Sequence, residues 1–406
     1  MKLIKIPKDK YEDYRLSVIF DGYKWDPQFK DDNTIADHVL VLTQKENQEI
    51  ENLVVSLGKE TKEAEKFINL NHNIMKDLKL PWKMKKVISL CKNYDSSKHV
   101  RLMRFDFHPC TDGTFMISEV NSDVPGGFAE SSLMPKIALH YLEDKHYIYK
   151  NFGDVLIKHL VKKIKPFGTI MMVHCTSYTD DRQVMQFLGD ELEKLGFKII
   201  YGAVDHLNFK NKKAFSILDN NKKDIDGIIR FNPIEWVVDI QDKSWHGYFN
   251  TETPSCNHPI AVITQSKRFP LIWDILEKEG INLSTWRKTL PHTTGVKKAK
   301  HKEGYIYKPV WGRVGEGITI KGAIEKKEYD KTIKDVKKHP KNYIAQKQFE
   351  SLGLLDEDGK IYHVCLGAYY VEGESAGYYG RISKTKRIDS HAKDIPVLIE
   401  VGDTNE

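Results

Sequence analysis

The most constraining feature of this sequence is a hairpin pattern between Arg101 and Gly127. An Asp112-Gly113 pair separates two alternating segments, and Asp-Gly between such segments is typical of a hairpin turn. The first strand is predicted from Val100 to Phe107 and the second from Thr114 to Val120. Side chains alternate between the two faces of a strand, so the polar residues of each strand share one face.

The polar face of this hairpin carries a distinctive set of side chains. Arg104 and Asp106 alternate on the first strand, and Glu119 and Asn121 end the second. If the strands pair, two carboxylates, an amide oxygen and a guanidinium meet in one patch. Hard oxygen ligands of this kind suit Mg²⁺, which also binds substrate phosphates. Taken alone, the stretch favours the commoner structure, a hairpin with a solvated polar face.

A glycine-rich turn between Gly312 and Gly317 follows a predicted strand, Tyr305 to Lys308. The return strand is predicted at Ile318 to Ile320. A strand lysine beside a mobile glycine turn can hold a nucleotide, because the ammonium contacts phosphate oxygens and glycine N–H groups cover them. The segment lacks the GxxxxGK[ST] and kinase motifs, so neither of those folds is expected. A glycine hairpin with a surface lysine is the alternative at this point.

A third hairpin is predicted near the C-terminal end of the chain. Its strands are Leu366 to Val371 and Tyr378 to Ser383, joined by a turn at Glu372 to Gly377. Arg381 on the return strand would add one more cation near developing phosphate charge. From this stretch alone, a surface arginine is the favoured interpretation.

Two other regions show regular patterns. The first 98 or so residues are predicted to be mainly helical, with a helix from Thr43 to Leu80 that opens on a capping-box pair, Thr43 and Glu46. From Gly168 onward, buried strands alternate with a helix, which predicts a small parallel sheet. Its elements are strand 169–173, helix 182–196, strand 197–201 and strand 225–229.

Composition limits the partners of the chain. Its 406 residues carry 63 basic and 57 acidic side chains, a net charge of +6 that fits small anions such as nucleotides. No nucleic-acid or membrane partner is expected, and nothing in the sequence fixes an oligomeric state. Five widely spaced cysteines form no CxxC pair, so neither a disulfide framework nor a zinc site is expected. Without a signal-peptide pattern or a membrane span, the expected compartment is the cytoplasm.

Seven segments, in order and nearly spanning the chain, resemble the C-terminal synthase domain of glutathionylspermidine synthase, a family of ATP-grasp ligases. They are RFDF (104–107), SEVNSD (118–123), DGIIRFNPIEW (226–236), ITQSKRFPLIW (263–273), YKPVWGRVGEG (307–317), YIAQKQF (343–349) and AYYVEGESAGYYGR (368–381).

The resemblance implies a mixed α+β and α/β architecture, an ATP-grasp fold with a small parallel α/β domain. In this sequence the residues implied to bind metal come before the lysines implied to bind phosphate. The resemblance therefore implies the permuted arrangement of this family. The expected domains are a helical region with the metal-binding hairpin (1–152), a pre-ATP-grasp-like α/β domain (153–260), and the ATP-binding lid with the remainder of the core (261–406).

The resemblance also implies an activity, an ATP- and Mg²⁺-dependent carboxylate–amine ligase that forms an amide through an acyl phosphate. A small-molecule or short-peptide carboxylate and an amine would be its substrates, with glutathione and spermidine as the inherited expectation. Carried over residue by residue, the implied roles fall into three groups: metal binding by Asp106, Glu119 and Asn121, catalysis by Arg104 and Arg381, and ATP binding by Lys267, Lys308, Gly312, Arg313, Gly315, Gly317 and Gln346.

Two alternatives stay open at the level of sequence. The chain could be a non-catalytic ATP-binding scaffold of the same fold, although a scaffold has no need for both catalytic arginines. It could also be a ligase that modifies a peptide or protein terminus, which a long groove along the N-terminal region would favour. The lid reads GRVGEG where the family usually has a GREG-type turn, a difference that concerns nucleotide handling and substrate choice.

Overall fold

A computed structural model describes residues 1–91, 94–143, 146–218, 223–238, 243–299, 304–312, 317–320 and 324–401. Within these ranges the chain is a mixed α+β protein with several separate sheets. No helix in the described ranges is both long and apolar enough to cross a membrane.

The strands are numbered in chain order: β1 Lys2–Lys5, β2 Gln28–Phe29, β3 Asp32–Asn33, β4 His38–Leu42, β5 Leu102–Pro109, β6 Phe115–Asn121, β7 Tyr147–Ile148, β8 Thr169–His174, β9 Lys198–Gly202, β10 Leu207–Lys210, β11 Lys213–Ser216, β12 Lys223–Asp224, β13 Gly227–Phe231, β14 Ser255–Cys256, β15 Thr293–Gly295, β16 Tyr305–Pro309, β17 Tyr343–Lys347, β18 Leu354–Leu355, β19 Ile361–Val371, β20 Glu374–Ser383, β21 Lys393–Ile395 and β22 Val397–Glu400.

The helices follow the same convention: α1 Tyr11–Phe20, α2 Gln44–Leu70, α3 Trp82–Leu90, α4 Phe128–Ser132, α5 Met134–Tyr141, α6 Phe152–Lys163, α7 Thr179–Lys194, α8 Ile234–Val237, α9 His246–Asn250, α10 Val262–Gln265, α11 Trp273–Lys278, α12 Ser284–Thr289 and α13 Lys326–Lys338.

The N-terminal region is less helical than its sequence predicts. Strands β1 and β4 pair with each other, and β4 also pairs with β22 from the other end of the chain. Helix α2 begins with the predicted capping box, in which Thr43 and Glu46 bond reciprocally. It ends at Leu70 rather than Leu80, and His72–Leu78 forms a 3₁₀ helix instead. The prediction of an α-helix from Asn71 to Leu80 is therefore wrong. The apolar residues Met75 and Leu78 of this segment are nevertheless buried.

The predicted parallel sheet is present. Strands β14, β13, β8 and β9 lie side by side in that order, and all three of their pairings are parallel. Every residue of β8 is buried, as expected for a strand covered on both faces. Helix α7 connects β8 to β9 and packs on both.

The first and third predicted hairpins join into one larger sheet, here called the central sheet. Its strand order is β21-β20-β19-β5-β6, with β18 attached to β19, and its pairings are antiparallel. The turn between β19 and β20 is shorter than predicted. It consists of Glu372 and Gly373 alone, both at positive φ, a geometry suited to a two-residue hairpin turn.

The two faces of the central sheet have different environments. Phe105 and Phe107 point into the main hydrophobic core, where Phe105 packs edge-on against Trp286 with ring centroids 5.8 Å apart. Helix α2 covers this face so closely that a Cβ added at Gly58 would lie 2.1 Å from the ring of Tyr370. The opposite face carries the polar residues and is left for the site.

The lysine-bearing strand does not form the predicted hairpin. Ile318–Ile320 is not a strand, and β16 pairs with β17 instead. The expected neighbourhood is kept, because Thr319 exchanges two hydrogen bonds with Tyr307 on β16. Those two contacts do not extend into a ladder in the described residues.

We expect Gly58→Ala to destabilise the protein. The added methyl collides with the buried Tyr370 ring, and overpacking of this kind costs on the order of 1–3 kcal/mol, more than the helix-propensity gain of about 1 kcal/mol. Urea unfolding measures the change in the free energy of unfolding. Gly295→Ala is the matched control, because its nearest neighbour would be Leu271 Cδ2 at 3.9 Å. A Gly58→Ala variant as stable as the control would contradict the close approach of α2 to the sheet.

Candidate active site

The hairpin of β5 and β6 brings its polar residues together. Asp106 lies opposite Glu119 and Arg104 lies opposite Asn121, so all four share one face of the central sheet. Arg104 donates two hydrogen bonds to the Asp106 carboxylate, at 2.7 and 3.1 Å, and Asn121 Nδ2 donates a third at 3.0 Å. Burial opposes charge on Arg104, but the contact with Asp106 raises the pKa of its guanidinium well above the ordinary value.

Arg104 lies flat on the sheet because the neighbouring strand has no side chain at Gly367. Gly367 pairs with Asp106, and a Cβ added at Gly367 would lie 2.7 Å from both Cδ and Nε of Arg104. The guanidinium extends over the ring of Tyr379, 5.0 Å from its centroid, and also donates to the Gly126 carbonyl at 2.9 Å. The absence of a side chain at Gly367 therefore determines where the Arg104 charge lies.

Two lysines approach the hairpin from other elements. Lys267 Nζ, just after α10, lies 2.9 Å from Glu119 and donates to the Gly312 carbonyl at 2.6 Å. Lys308 Nζ, on β16, donates to the Ser118 carbonyl at 2.9 Å. Lysines distant in sequence thus meet the oxygen-rich end of the hairpin.

The electrostatics of these groups are strongly perturbed. Burial lowers the pKa of Lys308 to about 8, with Glu119 opposing the shift and Lys267 adding to it. For Glu119, burial acts to raise the pKa, but the ion pair with Lys267 outweighs it and holds the pKa below its ordinary value. Both groups are charged at neutral pH, but the pKa of Lys308 is only about one unit above it.

Arg381 reaches the same face from β20. It lies opposite Cys365, two residues along the strand from Tyr379, and its Nη2 donates to the carbonyls of Asp389 and Ala392. Its buried Nε has no hydrogen-bond partner among the described residues and lies 4.0 Å from Asp394 Oδ1. Arg381 and Arg104 therefore lie on the same side of the sheet.

These residues line two recesses that meet at Ser118, Glu119 and Lys308. The arginine recess, about 890 Å³ including its open mouth, is lined by Arg104, Asp106, His108, Cys365, Tyr379 and Arg381 among others. The glutamine recess, about 370 Å³, is lined by Gln265, Lys267, Phe269, Trp286, Ile344 and Gln346 among others. Because the two recesses share these three residues, they are adjoining parts of one cleft.

Gln346 is a buried polar residue that lines the glutamine recess. It is buried on β17, and its Nε2 donates to Thr293 Oγ1 at 3.0 Å. Its Oε1 has no partner within the described residues, so the side chain presents a free acceptor among apolar neighbours. Buried acceptors without partners are uncommon in proteins, and a ligand donor would satisfy this one.

The glycine turn is only partly described. Gly312 and Gly317 border it, and Gly312 already contributes a carbonyl to Lys267. Arg313 and Gly315 lie outside the described residues, so their predicted contact with ATP stays a prediction.

The donor set of the hairpin fits Mg²⁺. Asp106, Glu119 and Asn121 offer two carboxylates and an amide oxygen within one patch, and Asn121 donates to Asp106 through its amide nitrogen rather than through its oxygen. The described residues contain no cluster of three His, Cys, Asp or Glu side chains that could hold a metal alone. Mg²⁺ commonly needs no such cluster, because waters and substrate phosphates complete its coordination.

Three buried features of the site went unpredicted. Arg230 forms a fully buried ion pair with Asp123, and Arg101 pairs with Glu65 at 2.5 Å. These pairs fix the chain on either side of the hairpin, and the only sequence signal was a charge inside an apolar strand pattern. His108 lies beside Lys308 in the arginine recess, where burial lowers its pKa to about 3 and keeps it neutral.

The fold and cleft define a mixed α+β protein whose oxygen-rich hairpin faces lysines and arginines. The model of the glutathionylspermidine synthase preATP-grasp family matches residues 5–400, and the chain belongs to this family. The resemblance seen in the seven segments is thereby confirmed.

Comparison with known proteins adds likeness of fold at low sequence identity. A glutathione synthetase-like effector (GSS30) from Globodera pallida, in apo form, aligns with a TM-score of 0.64 and 11% identity over 96% of this chain and 96% of that chain. A protein assigned as a gamma-glutamylcysteine synthetase from Methylobacillus flagellatus KT aligns with a TM-score of 0.46 and 14% identity over 80% of this chain and 86% of that chain. Among curated proteins, none matches the sequence.

We expect Lys308→Met to stabilise the protein. An unfolded lysine keeps its proton up to its ordinary pKa of 10.5, whereas folded Lys308 loses it at about 8. The folded state therefore pays for holding this charge at pH 7, and removing it should raise the free energy of unfolding by on the order of 1–3 kcal/mol. Denaturant unfolding at pH 7 measures the gain.

The pH dependence provides the control for this variant. In the unaltered protein, this group makes stability rise as pH increases from about 8 toward 10.5, because the unfolded state binds more protons there. The Met variant should lack that rise. A variant that is less stable at pH 7 and keeps the rise would show that Lys308 is not held in an unfavourable environment.

Proposed function

We propose that this protein is an ATP- and Mg²⁺-dependent carboxylate–amine ligase that forms an amide through an acyl phosphate. The observation that carries the proposal is a single cleft in which Asp106, Glu119 and Asn121 face two lysines and two arginines. Phosphoryl transfer needs positioned charge rather than a covalent protein group. The arrangement supplies such charge on both sides of the place where a phosphate would move.

The glutamine recess is the proposed adenine site. Its walls are apolar and aromatic, and the free Oε1 of Gln346 would accept from the exocyclic amine of adenine. Lys267 and Lys308 lie where this recess opens to the arginine recess, so their ammonium groups would hold the phosphates. The terminal phosphate would then lie above the hairpin, close to the oxygen ligands.

The arginine recess is the proposed site of acyl transfer. Arg104 and Arg381 would hold the substrate carboxylate and stabilise the charge that develops on the acyl phosphate. Bound Mg²⁺ would neutralise phosphate charge, held by Asp106, Glu119 and Asn121. The glycine turn would cover the intermediate and exclude water, which otherwise hydrolyses an acyl phosphate. An amine would then attack the acyl carbon, and phosphate would leave.

Family membership supports the substrate classes. The family name denotes an enzyme that joins a peptide carboxylate to a polyamine, and we propose a short peptide carboxylate and an amine for this chain. Glutathione and spermidine are the first pair to test. The permuted ATP-grasp arrangement belongs to the same proposal, as does the division of the chain at residues 152 and 260.

ADP release tests the proposal directly. Pairs of peptide carboxylates and amines are screened with Mg²⁺ and ATP, and at least one pair should stimulate ADP release together with amide formation. Asp106→Asn should then lower kcat by about 10²-fold or more, because one metal oxygen is lost and Arg104 is unpaired. Asp356→Asn is the control, since Asp356 is buried but lies outside both recesses. Binding of ATP without stimulation by any pair would instead favour a nucleotide-binding scaffold.

ATP affinity should depend on pH through Lys308. Its ammonium form is complete well below pH 8 and is lost above it, because burial lowers its pKa to about 8. The Kd for Mg²⁺–ATP, measured by calorimetry, should therefore increase by up to about tenfold per pH unit above pH 8. Lys308→Arg should weaken this increase of Kd with pH, because a guanidinium keeps its charge throughout. An identical increase in the variant would assign the titration to another group.

A further inference from the structure

A buried lysine from the N-terminal loop lies behind the catalytic arginines. Lys24 Nζ is 2.9 Å from Asp394 Oδ2 and 3.1 Å from Glu130 Oε1. All three side chains are nearly inaccessible, with 13%, 5% and 7% of their surfaces exposed. Lys24 therefore places an ammonium between two buried carboxylates from distant parts of the chain.

A series of contacts connects this ammonium to Arg104. The second oxygen of Asp394 accepts from Tyr379 Oη at 2.6 Å. The ring of Tyr379 lies beneath the Arg104 guanidinium, 5.0 Å from its centroid, and Arg104 in turn holds Asp106. Each member is positioned by the one before it, from the N-terminal loop to the metal-binding face of the sheet.

Lys24 balances a surplus of negative charge. Glu130 also accepts from Gln183 at 3.0 Å, while its Oε2 has no partner among the described residues. Asp180 lies nearby, where burial and the neighbouring Asp26 raise its pKa to about 6. Without Lys24, Glu130 would be a buried carboxylate lacking its cation, an arrangement that proteins avoid. Asp394 would keep only the more distant Arg381, whose Nε lies 4.0 Å from Asp394 Oδ1.

We propose that Lys24 is a positioning residue: its ammonium is a built-in cation that holds Asp394, and through Tyr379 holds Arg104 in the orientation for acyl transfer. The catalytic part of this inference rests on the proposed ligase function, whereas the ammonium site itself does not. The recess is specific for a primary ammonium, because two carboxylates face it and the alkyl stem occupies the approach.

The geometry supplies a sharp test, since Lys24→Ala deletes the equivalent of n-propylammonium. The variant should lose about 10²-fold in kcat, because a small displacement of a reacting group has effects of this size. The KM for ATP should change less than about threefold, as Lys24 lies outside the glutamine recess. Added n-propylammonium should restore most of kcat, and n-propanol, which has the same shape without the charge, should not.

Lys163→Ala is the matched control. Lys163 is similarly buried, at 17% exposure, and pairs with Glu372 at 2.9 Å away from both recesses. This variant should lose stability without loss of kcat, and n-propylammonium should have no effect on its activity. Lys24→Met, which keeps the stem and removes the charge, separates loss of packing from loss of the cation and should behave as Lys24→Ala without rescue.

Binding and crystal structures make the test independent of the ligase assay. Calorimetry should detect n-propylammonium binding to Lys24→Ala and none to the unaltered protein. Crystals of the variant should show Tyr379 displaced from Arg104, and soaked n-propylammonium should return it. Absence of binding, or an unmoved Tyr379–Arg104 contact, would overturn the proposal even if the ligase assay succeeds. If no substrate pair stimulates ADP release, the ligase proposal fails, while binding and crystal structures still decide the role of Lys24.

Discussion

The contact between Arg104 and Asp106 is the interaction on which the rest of the site depends. It joins the charge proposed for acyl transfer to an oxygen ligand proposed for Mg²⁺, and it exists because Gly367 leaves space on the adjoining strand. Tyr379 supports the guanidinium from below. The absence of a side chain at Gly367 thus allows the Arg104 guanidinium to contact both Asp106 and Tyr379. The pairing of β5 with β19 holds Gly367 beside Arg104.

Burying charged groups in the site costs folding free energy. Burial lowers the pKa of Lys308 and so disfavours its charge, whereas for Arg104 and Arg381 the neighbouring groups outweigh burial and raise the pKa. For Lys308 the nearby Glu119 compensates for the lost water only in part. Stability elsewhere, including the apolar contacts of α2 with the central sheet, makes this tolerable. A protein selected only for stability would replace these groups with apolar ones.

Much of the architecture could be predicted from sequence, and the exceptions have physical causes. The β5–β6 hairpin, the parallel sheet and the Thr43 capping box follow from local alternation, periodicity and turn chemistry. Strands β1 and β4 did not, because they belong to a sheet in which β4 also pairs with β22, a strand distant in sequence. The convergence of Lys267 with Glu119 was available only through the family resemblance, and Lys24 not at all, since an isolated lysine in a loop carries no pattern.

The contact between Lys24 and Asp394 has a consequence for biosynthesis. Lys24 leaves the ribosome long before Asp394, because 369 residues separate the two in the sequence. Until then Lys24 lacks one of its two carboxylate partners, and Tyr379 lacks the carboxylate that orients it. A nascent chain could bury much of its core before β21 is made, yet Tyr379 would not be oriented beneath Arg104, so the proposed acyl-transfer site would assemble only after β21 has been synthesised.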